Sequence, residues 1–318
     1  MRALWLENQQ LQFRTDVPLP ELEEGDVLIQ PRLSGICSTD LELVNGYYPF
    51  TGIPGHEFVG EVVEAPDFPD LEGKRVVGEI NITCGYCIHC QQDRGSHCVN
   101  RTVLGISGRN GAFADYFTLP AENLHLVPDS IADEQAVFTE PLAAALEIQE
   151  QVNISQTDRV LVVGAGRLGQ LVAQTISLID CDLTVVARYS KQRRLLEKFG
   201  IKVLDEENIK PGMMDIVVDT TGSPTGFEIA RSAVRSRGTI VMKSTYAGTL
   251  EINPSSLVVD EITLIGSRCG PFSPALKLIN DRLVDLVSLV EESFHIINSI
   301  AAINKAGERG VFKVLLTY

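Results

Sequence analysis

Between residues 158 and 267 the chain alternates short runs of Val, Ile and Leu with segments of helical pattern. RVLVVGAG precedes RLGQLVAQTISLI, DLTVVAR precedes SKQRRLLEKFG, and IKVLD stands alone. DIVVDTTG precedes PTGFEIARSAVRS, GTIVMKS precedes PSSLVVDE, and ITLIGS closes the series. Apolar runs with little polar alternation are what strands buried on both faces of a parallel sheet look like. Six of them with crossover helices predict a doubly wound α/β domain. The first run leads directly into Gly164-Ala165-Gly166-Arg167-Leu168-Gly169, a G-x-G-x-x-G that opens a helix. In that context Gly164 makes a tight turn, Gly166 lets a pyrophosphate approach the backbone, and Gly169 lets helix and strand pack closely. The phosphates then sit at the helix N-terminus, beside Arg167 and Leu168.

A fold of this kind that prefers NAD carries Asp or Glu about 20 residues further on, to accept from the ribose 2′-hydroxyl. Here the second strand ends in Ala187 and Arg188, and Lys191, Arg193 and Arg194 follow. A guanidinium can fork onto a 2′-phosphate and stack on adenine, so the pattern predicts NADP(H) over NAD(H), with Arg188 and Arg193 as cofactor contacts. Thr221 and Ser267, just after the fourth and sixth runs, are further cofactor candidates, with Gly266 and Ser267 at the nicotinamide end.

Residues 1 to about 125 read differently, as short β-runs broken by Gly and Pro: Asp26 to Leu33, Glu57 to Ala65, Gly73 to Ile80 and Gly111 to Leu119. Pro141 stands where a helix begins, ahead of LAAALEIQEQV, and residues 70–73 and 270–275 read as loops. Cys84-x2-Cys87-x2-Cys90-x7-Cys98 places four thiols within fifteen residues. That spacing closes an all-thiolate zinc site, structural because no ligand position stays open; an iron–sulfur cluster is the competitor. His89 and His97 lie in the same loop and read as surface residues. A second, dispersed set is Cys37 in GICSTD, His56 and Glu57 in PGHEFVGEV, and Glu140 in FTEPLA. One Cys, one His and one carboxylate plus water is the open pattern of a catalytic zinc.

Composition narrows the function further. The 318 residues carry 27 Lys and Arg against 42 Asp and Glu, a net charge of −15, which argues against nucleic acid or an anionic membrane face as partner. No apolar run approaches the length of a membrane span, and MRALWLENQQ lacks the order of a secretory signal. Seven cysteines, an odd number, fit metal ligands and buried thiols in a reducing cytoplasmic setting better than a disulfide framework. Cys181 and Cys269 have no ligand role in this reading.

Taken in order, GICSTD, GHEFVGEV, the four-cysteine loop, GAFADYF, EPLA, GAGRLG and the terminal FKVLL resemble the zinc-containing medium-chain alcohol dehydrogenases. The resemblance implies a GroES-like β domain from residues 1–141 and 271–318, with a Rossmann domain, 142–270, inserted into it and the active site in the cleft between them. It implies that Cys37 and His56 bind a catalytic zinc, with either Glu57 or Glu140 as the carboxylate. Thr39 matches the hydroxyl that starts the proton relay, and Asp40 matches the residue that orients the zinc-bound His. Cys84, Cys87, Cys90 and Cys98 match the structural-zinc lobe, giving two zinc ions per chain. A homodimer or homotetramer is implied as well.

Three departures from that family pattern stand out. Glu42 replaces the relay His three residues past the hydroxyl, the acid of the second Rossmann strand is absent, and the chain is short around Pro66 to Gly73 and after Gly270. The expected reaction is hydride transfer between a small-molecule alcohol or aldehyde and NADP(H). A polyol or sugar dehydrogenase is the alternative, favoured by Glu140 and Glu42, while Tyr47, Tyr48 and Phe50 point to an aromatic wall instead. An NADP-binding regulator with structural zinc only is the non-enzyme alternative.

Overall fold

The computed structural model, which describes residues 1–245 and 248–318, divides into a unit of Met1–Glu140 with Phe272–Tyr318 and a unit of Pro141–Pro271. The first unit begins with an antiparallel hairpin of β1 (Ala3–Glu7) and β2 (Gln10–Arg14). Its main sheet is built on β3 (Asp26–Gly35), whose end is followed by the short helix α1 (Ser38–Val44). Next, β4 (Glu57–Glu64) pairs antiparallel with both β3 and β5 (Arg75–Gly78). A small separate sheet of β6 (Asn81–Ile82), β7 (Thr102–Leu104) and β8 (Gly108–Arg109) flanks the cysteine loop. The chain then returns to the main sheet as β9 (Phe117–Pro120), on β3, and β10 (Leu124–Leu126), on β5. Helices α2 (Asp133–Ala136) and α3 (Thr139–Gln151) follow, with Pro141 inside the first turn of α3.

The run Gly111 to Leu119, expected as one strand, is a strand only from Phe117. Its first part wraps the turn before His56 instead: Gly111 N–H donates to the Ile53 carbonyl and Ala112 N–H to the Gly55 carbonyl. A Cβ on Gly111 would collide with the Gly55 backbone, so this stretch serves close approach rather than a ladder.

The second unit follows the alternation in the sequence: β11 (Arg159–Val163), α4 (Arg167–Ser177), β12 (Asp182–Val186), α5 (Ser190–Lys198) and β13 (Lys202–Leu204). The other half is β14 (Met214–Asp219), α6 (Pro224–Ala233), β15 (Val234–Met242), α7 (Pro254–Val259) and β16 (Thr263–Gly266). All six strands are parallel, in the order β13-β12-β11-β14-β15-β16. The order reverses between β11 and β14, and such a switch point opens a crevice at the carboxyl ends of the strands. Backbone pairing continues one residue past the strands there. Thr220 N–H donates to Val163 O, Lys243 to Asp219 O and Ser267 to Met242 O, which sets Thr220, Lys243 and Ser267 in one row.

The chain then re-enters the first unit through α8 (Phe272–Asn280), β17 (Val290–His295), α9 (Ser299–Ala306) and β18 (Lys313–Thr317). Residues 272–275, expected as loop, are the first turn of α8. Phe272, Ala275, Leu276 and Ile279 are buried, and this helical spacing outweighs Pro274, which the first turn tolerates. Strand β18 pairs antiparallel with β3, setting Leu315 opposite Gly35, and so Val314 and Leu316 share one core with Ala3, Leu4, Ile36 and Phe113. Among the described residues no helix is long and apolar enough to cross a membrane.

One charged residue ties three strands of the parallel sheet together. Asp215 accepts from Arg159 through N–H (2.8 Å) and Nε (3.1 Å), and from Arg235 Nε (2.6 Å). Burial pushes its carboxyl up, but the hydrogen bonds from Arg235 and Arg159 outweigh this and hold it at about 2. A carboxylate with a depressed pKa contributes stability above its unfolded value near 4, and that contribution is lost as pH falls through the folded value. Asp215→Asn is therefore expected to lower stability by about 2 kcal/mol at pH 7. In urea melts across pH, the difference from the unaltered protein should shrink below pH 4 and nearly vanish by about pH 2.

Candidate functional site

Cys37, His56 and Glu57 come together although they lie on separate elements. Cys37 is the residue ahead of α1, and His56 and Glu57 lead into β4. One donor atom from each lies within 4.8 Å of the others. Asp40 organises the group: its Oδ2 accepts from the Cys37 N–H (2.8 Å), and its Oδ1 lies 3.2 Å from His56 Nδ1. The His56 contact is an ion-pair distance without hydrogen-bond alignment. With Nδ1 beside Asp40, Nε2 is the nitrogen left for a metal. Burial disfavours a proton on His56, while Asp40 and Cys37 favour one strongly enough to raise its pKa well above the ordinary value. A sulfur, a ring nitrogen and a carboxylate oxygen within 4.8 Å of one another form a donor set that fits a zinc ion.

Glu57 contributes a divided carboxylate. Its Oε2 accepts from Lys313 Nζ, while its buried Oε1 has no hydrogen-bond partner. Lys313 comes from β18 and also lies 5.8 Å from the Phe138 ring. A Cβ on Gly35 would strike Glu57 Oε2 and crowd the Lys313 side chain, so the pair forms only because that position is glycine.

The four-cysteine loop is equally well defined. Sγ separations are 3.5 Å for Cys87–Cys90, 3.5 Å for Cys84–Cys98 and 4.0 Å for Cys84–Cys90. A tetrahedron of zinc–sulfur bonds of about 2.3 Å has edges of about 3.8 Å, and a disulfide would need about 2.05 Å. The thiols are thus spaced for one four-coordinate metal, and all seven cysteines are free. His97 is exposed and His89 half-buried.

In the parallel sheet, the glycine loop has the anticipated shape. Gly164 has φ +98°, a Cβ on Gly166 would meet open space, and a Cβ on Gly169 would strike the Gly164 carbonyl. Turn, ligand approach and helix packing therefore fall on three successive glycines, as a pyrophosphate cradle at the head of α4 requires.

Comparison with known proteins matches these features. Residues 23–129 match the alcohol dehydrogenase GroES-like domain, and residues 168–281 match the zinc-binding dehydrogenase domain. L-threonine 3-dehydrogenase of Serratia proteamaculans (strain 568) is 33% identical over 270 residues, covering 78% of this chain and 76% of that protein. The chain belongs to the zinc-containing medium-chain dehydrogenase/reductase family. It is an oxidoreductase of CH–OH donors with a GroES-like domain and a Rossmann-like domain. Among solved structures, a zinc-binding dehydrogenase from Sinorhizobium meliloti 1021, bound to NADP, superposes with a TM-score of 0.90 at 27% identity, covering 100% of this chain and 99% of that one. Galactitol-1-phosphate dehydrogenase from Escherichia coli shares the fold at TM-score 0.88 and 21% identity, with full coverage of both chains.

The remaining candidates of this dehydrogenase fall into place unevenly. Thr39 Oγ1 lies 3.7 Å from Cys37 Sγ. Glu140, half-buried in the first turn of α3, is outside the Cys37, His56 and Glu57 group. Thr221 donates to Asp219 Oδ1 through both N–H (2.9 Å) and Oγ (2.8 Å), and Ser267 Oγ accepts from Lys243. Arg188 is exposed and reaches Glu206 at 3.3 Å, while Arg193 donates to the Ala187 carbonyl at 2.5 Å and to Asp205. The basic cluster is therefore partly offset by acids that follow β13, which a window from 188 to 194 does not contain.

Sequence reasoning missed Lys313, Gly35 and Thr220, whose hydroxyl donates to the Val163 and Gly164 carbonyls at 3.0 Å each. The signal for Lys313 was a charged residue beginning the apolar terminal strand. Removing one member of a buried pair strands the other charge. Lys313→Met alone is expected to cost about 3 kcal/mol or more, and adding Glu57→Gln to it should recover part of the loss in a double-mutant cycle read by thermal unfolding.

Proposed function

We propose that the chain is a zinc-dependent alcohol dehydrogenase, working with its aldehyde or ketone in the reverse direction, and that NADP(H) is its preferred cofactor. The observation that carries this reading is the convergence of Cys37, His56 and Glu57 beside the Thr39 hydroxyl. Three protein ligands of these types leave a tetrahedral zinc one open position for a substrate oxygen. Zinc bound there supplies Lewis-acid polarisation of that oxygen, and the nicotinamide supplies the hydride acceptor or donor. The chain does the rest. Asp40 fixes the His56 ring and the Cys37 backbone together, and Thr39 Oγ1 receives the alcohol proton at the start of its exit.

We take Glu57 as the third ligand through Oε1, the oxygen Lys313 does not hold, with Glu140 as the other candidate. Cys84, Cys87, Cys90 and Cys98 hold a second, structural zinc. Residues 1–141 and 271–318 act as the catalytic domain and 142–270 as the dinucleotide-binding domain. Gly164, Gly166, Arg167, Leu168 and Gly169 cradle the pyrophosphate, Arg188 and Arg193 face the 2′-phosphate, and Thr221 and Ser267 serve the nicotinamide half. The NADP held by the Sinorhizobium relative supports this cofactor.

A second reading, an alcohol flanked by further polar groups such as a polyol or amino alcohol, is favoured by the likeness to L-threonine 3-dehydrogenase. Free thiols throughout fit a cytoplasmic setting. The exposed edge strand β16, which carries the exposed Leu264, together with the exposed Val258 and Val259 of α7, is where we place the contact of a homodimer or homotetramer.

The test is a screen of simple alcohols, polyols and hydroxy amino acids with NADP and NAD, together with metal counting. Two zinc ions per chain and NADP reduction are expected, and Cys37→Ser should lose one zinc and nearly all turnover. Full turnover of Cys37→Ser removes the proposed centre. For cofactor choice, Arg188→Ala is expected to weaken NADP by about tenfold more than NAD; equal weakening of both overturns the role given to Arg188.

A further inference from the structure

Two lysines of the described chain are buried, Lys243 and Lys313. Lys313 is matched by the Glu57 carboxylate. Lys243, 6% exposed, donates from Nζ to Ser267 Oγ at 3.1 Å and to the Arg268 carbonyl at 2.5 Å, and its charge is felt by Glu147. Taking an ammonium out of water is costly, so its place in the fold bears on what it does.

That place is the carboxyl edge of the parallel sheet. Lys243 is the first residue past β15, and its N–H bonds to Asp219 O in the row that holds Thr220 and Ser267. The strand order assigns the parts of a dinucleotide along this edge. The glycine loop after β11 takes the pyrophosphate, and the end of β12 with Arg188 takes the adenosine side. The nicotinamide therefore falls over β14, β15 and β16. Lys243 stands within that half.

The nicotinamide ring carries one positive charge when oxidised and none when reduced. Reaction with an alcohol, R2CHOH + NADP⁺ → R2C=O + NADPH + H⁺, removes that charge from the ring. A fixed cation beside it repels the oxidised form selectively, and a low-dielectric setting magnifies the effect.

Resting on the nucleotide reading above, we propose that Lys243 is a positioning charge that biases the bound cofactor towards its reduced form, so that alcohol oxidation is favoured on the protein. Glu147 is the acid on which this charge acts. Glu147 and Glu150 lie on α3, and burial raises the Glu147 pKa while Lys243 opposes that rise. Asp219, at the end of β14, directs Oδ1 to Thr221 and has its own pKa raised by burial. Acids near the ring act on its oxidised form with the opposite sign, so the share of Lys243 is read by changing the lysine alone.

The experiment measures binding, not turnover. The zinc-loaded protein, without substrate, is titrated with NADP⁺, NADPH, NAD⁺ and NADH by calorimetry, and the ratio Kd(oxidised)/Kd(reduced) is taken for the pair that binds more tightly. In Lys243→Met this ratio is expected to fall by about tenfold, and in Lys243→Arg, which keeps the charge, to stay within about twofold. If Lys243→Met does not fold, Lys243→Gln is compared with Lys243→Arg in its place. Equal weakening of both redox forms in the uncharged variant overturns the proposal, leaving Lys243 as a staple between the ends of β15 and β16. Failure of the unaltered protein to bind either form overturns the nucleotide reading and this inference with it.

Discussion

A buried ion pair beside the candidate metal cluster is the constraint on which the first unit depends. Glu57 leads β4 near the start of the chain, and Lys313 opens β18 at its end. Neither charge is tolerable there alone, because each would be desolvated without compensation. The pair therefore selects the register in which β18 lies against β3, with Leu315 opposite Gly35. Gly35 in turn has to lack a side chain, since its Cβ would occupy the space of the pair. The same Glu57 places a carboxylate oxygen within 4.8 Å of the Cys37 and His56 donor atoms, so closure of the discontinuous unit and assembly of the candidate zinc site are linked.

The parallel sheet solves a different problem. Its carboxyl edge gathers backbone and side-chain polar groups where the ladder runs out, and each is committed locally. Thr220 closes the glycine loop, Asp219 holds Thr221, and Lys243 spans to Ser267 and Arg268. An edge organised in this way is held in place by its own hydrogen bonds.

Much of this is legible in the sequence. Strands buried on both faces cannot alternate with polar residues, so the six parallel strands are visible as Val- and Ile-rich runs. The glycines of the loop are visible because close approach excludes a side chain whatever the surroundings. Four thiols at spacings of two, two and seven residues meet through local chain geometry alone. What failed was also physical. GAFADYF alternates like a strand, yet its first half packs backbone on backbone around Gly55, where no ladder forms. The basic stretch from Arg188 to Arg194 looked unopposed because Asp205 and Glu206, its partners, are distant in sequence.

The sequence alone therefore determined the elements with a local cause: the doubly wound sheet, the glycine loop and the four-thiol site. Each follows from burial periodicity, backbone freedom or short spacing, none of which needs a distant partner. Only the tertiary structure shows which residues gather in the second candidate metal cluster. Cys37, His56 and Glu57 meet because β3, α1 and β4 bring them together, and Lys313 arrives from 256 residues away because a buried carboxylate requires a counter-charge.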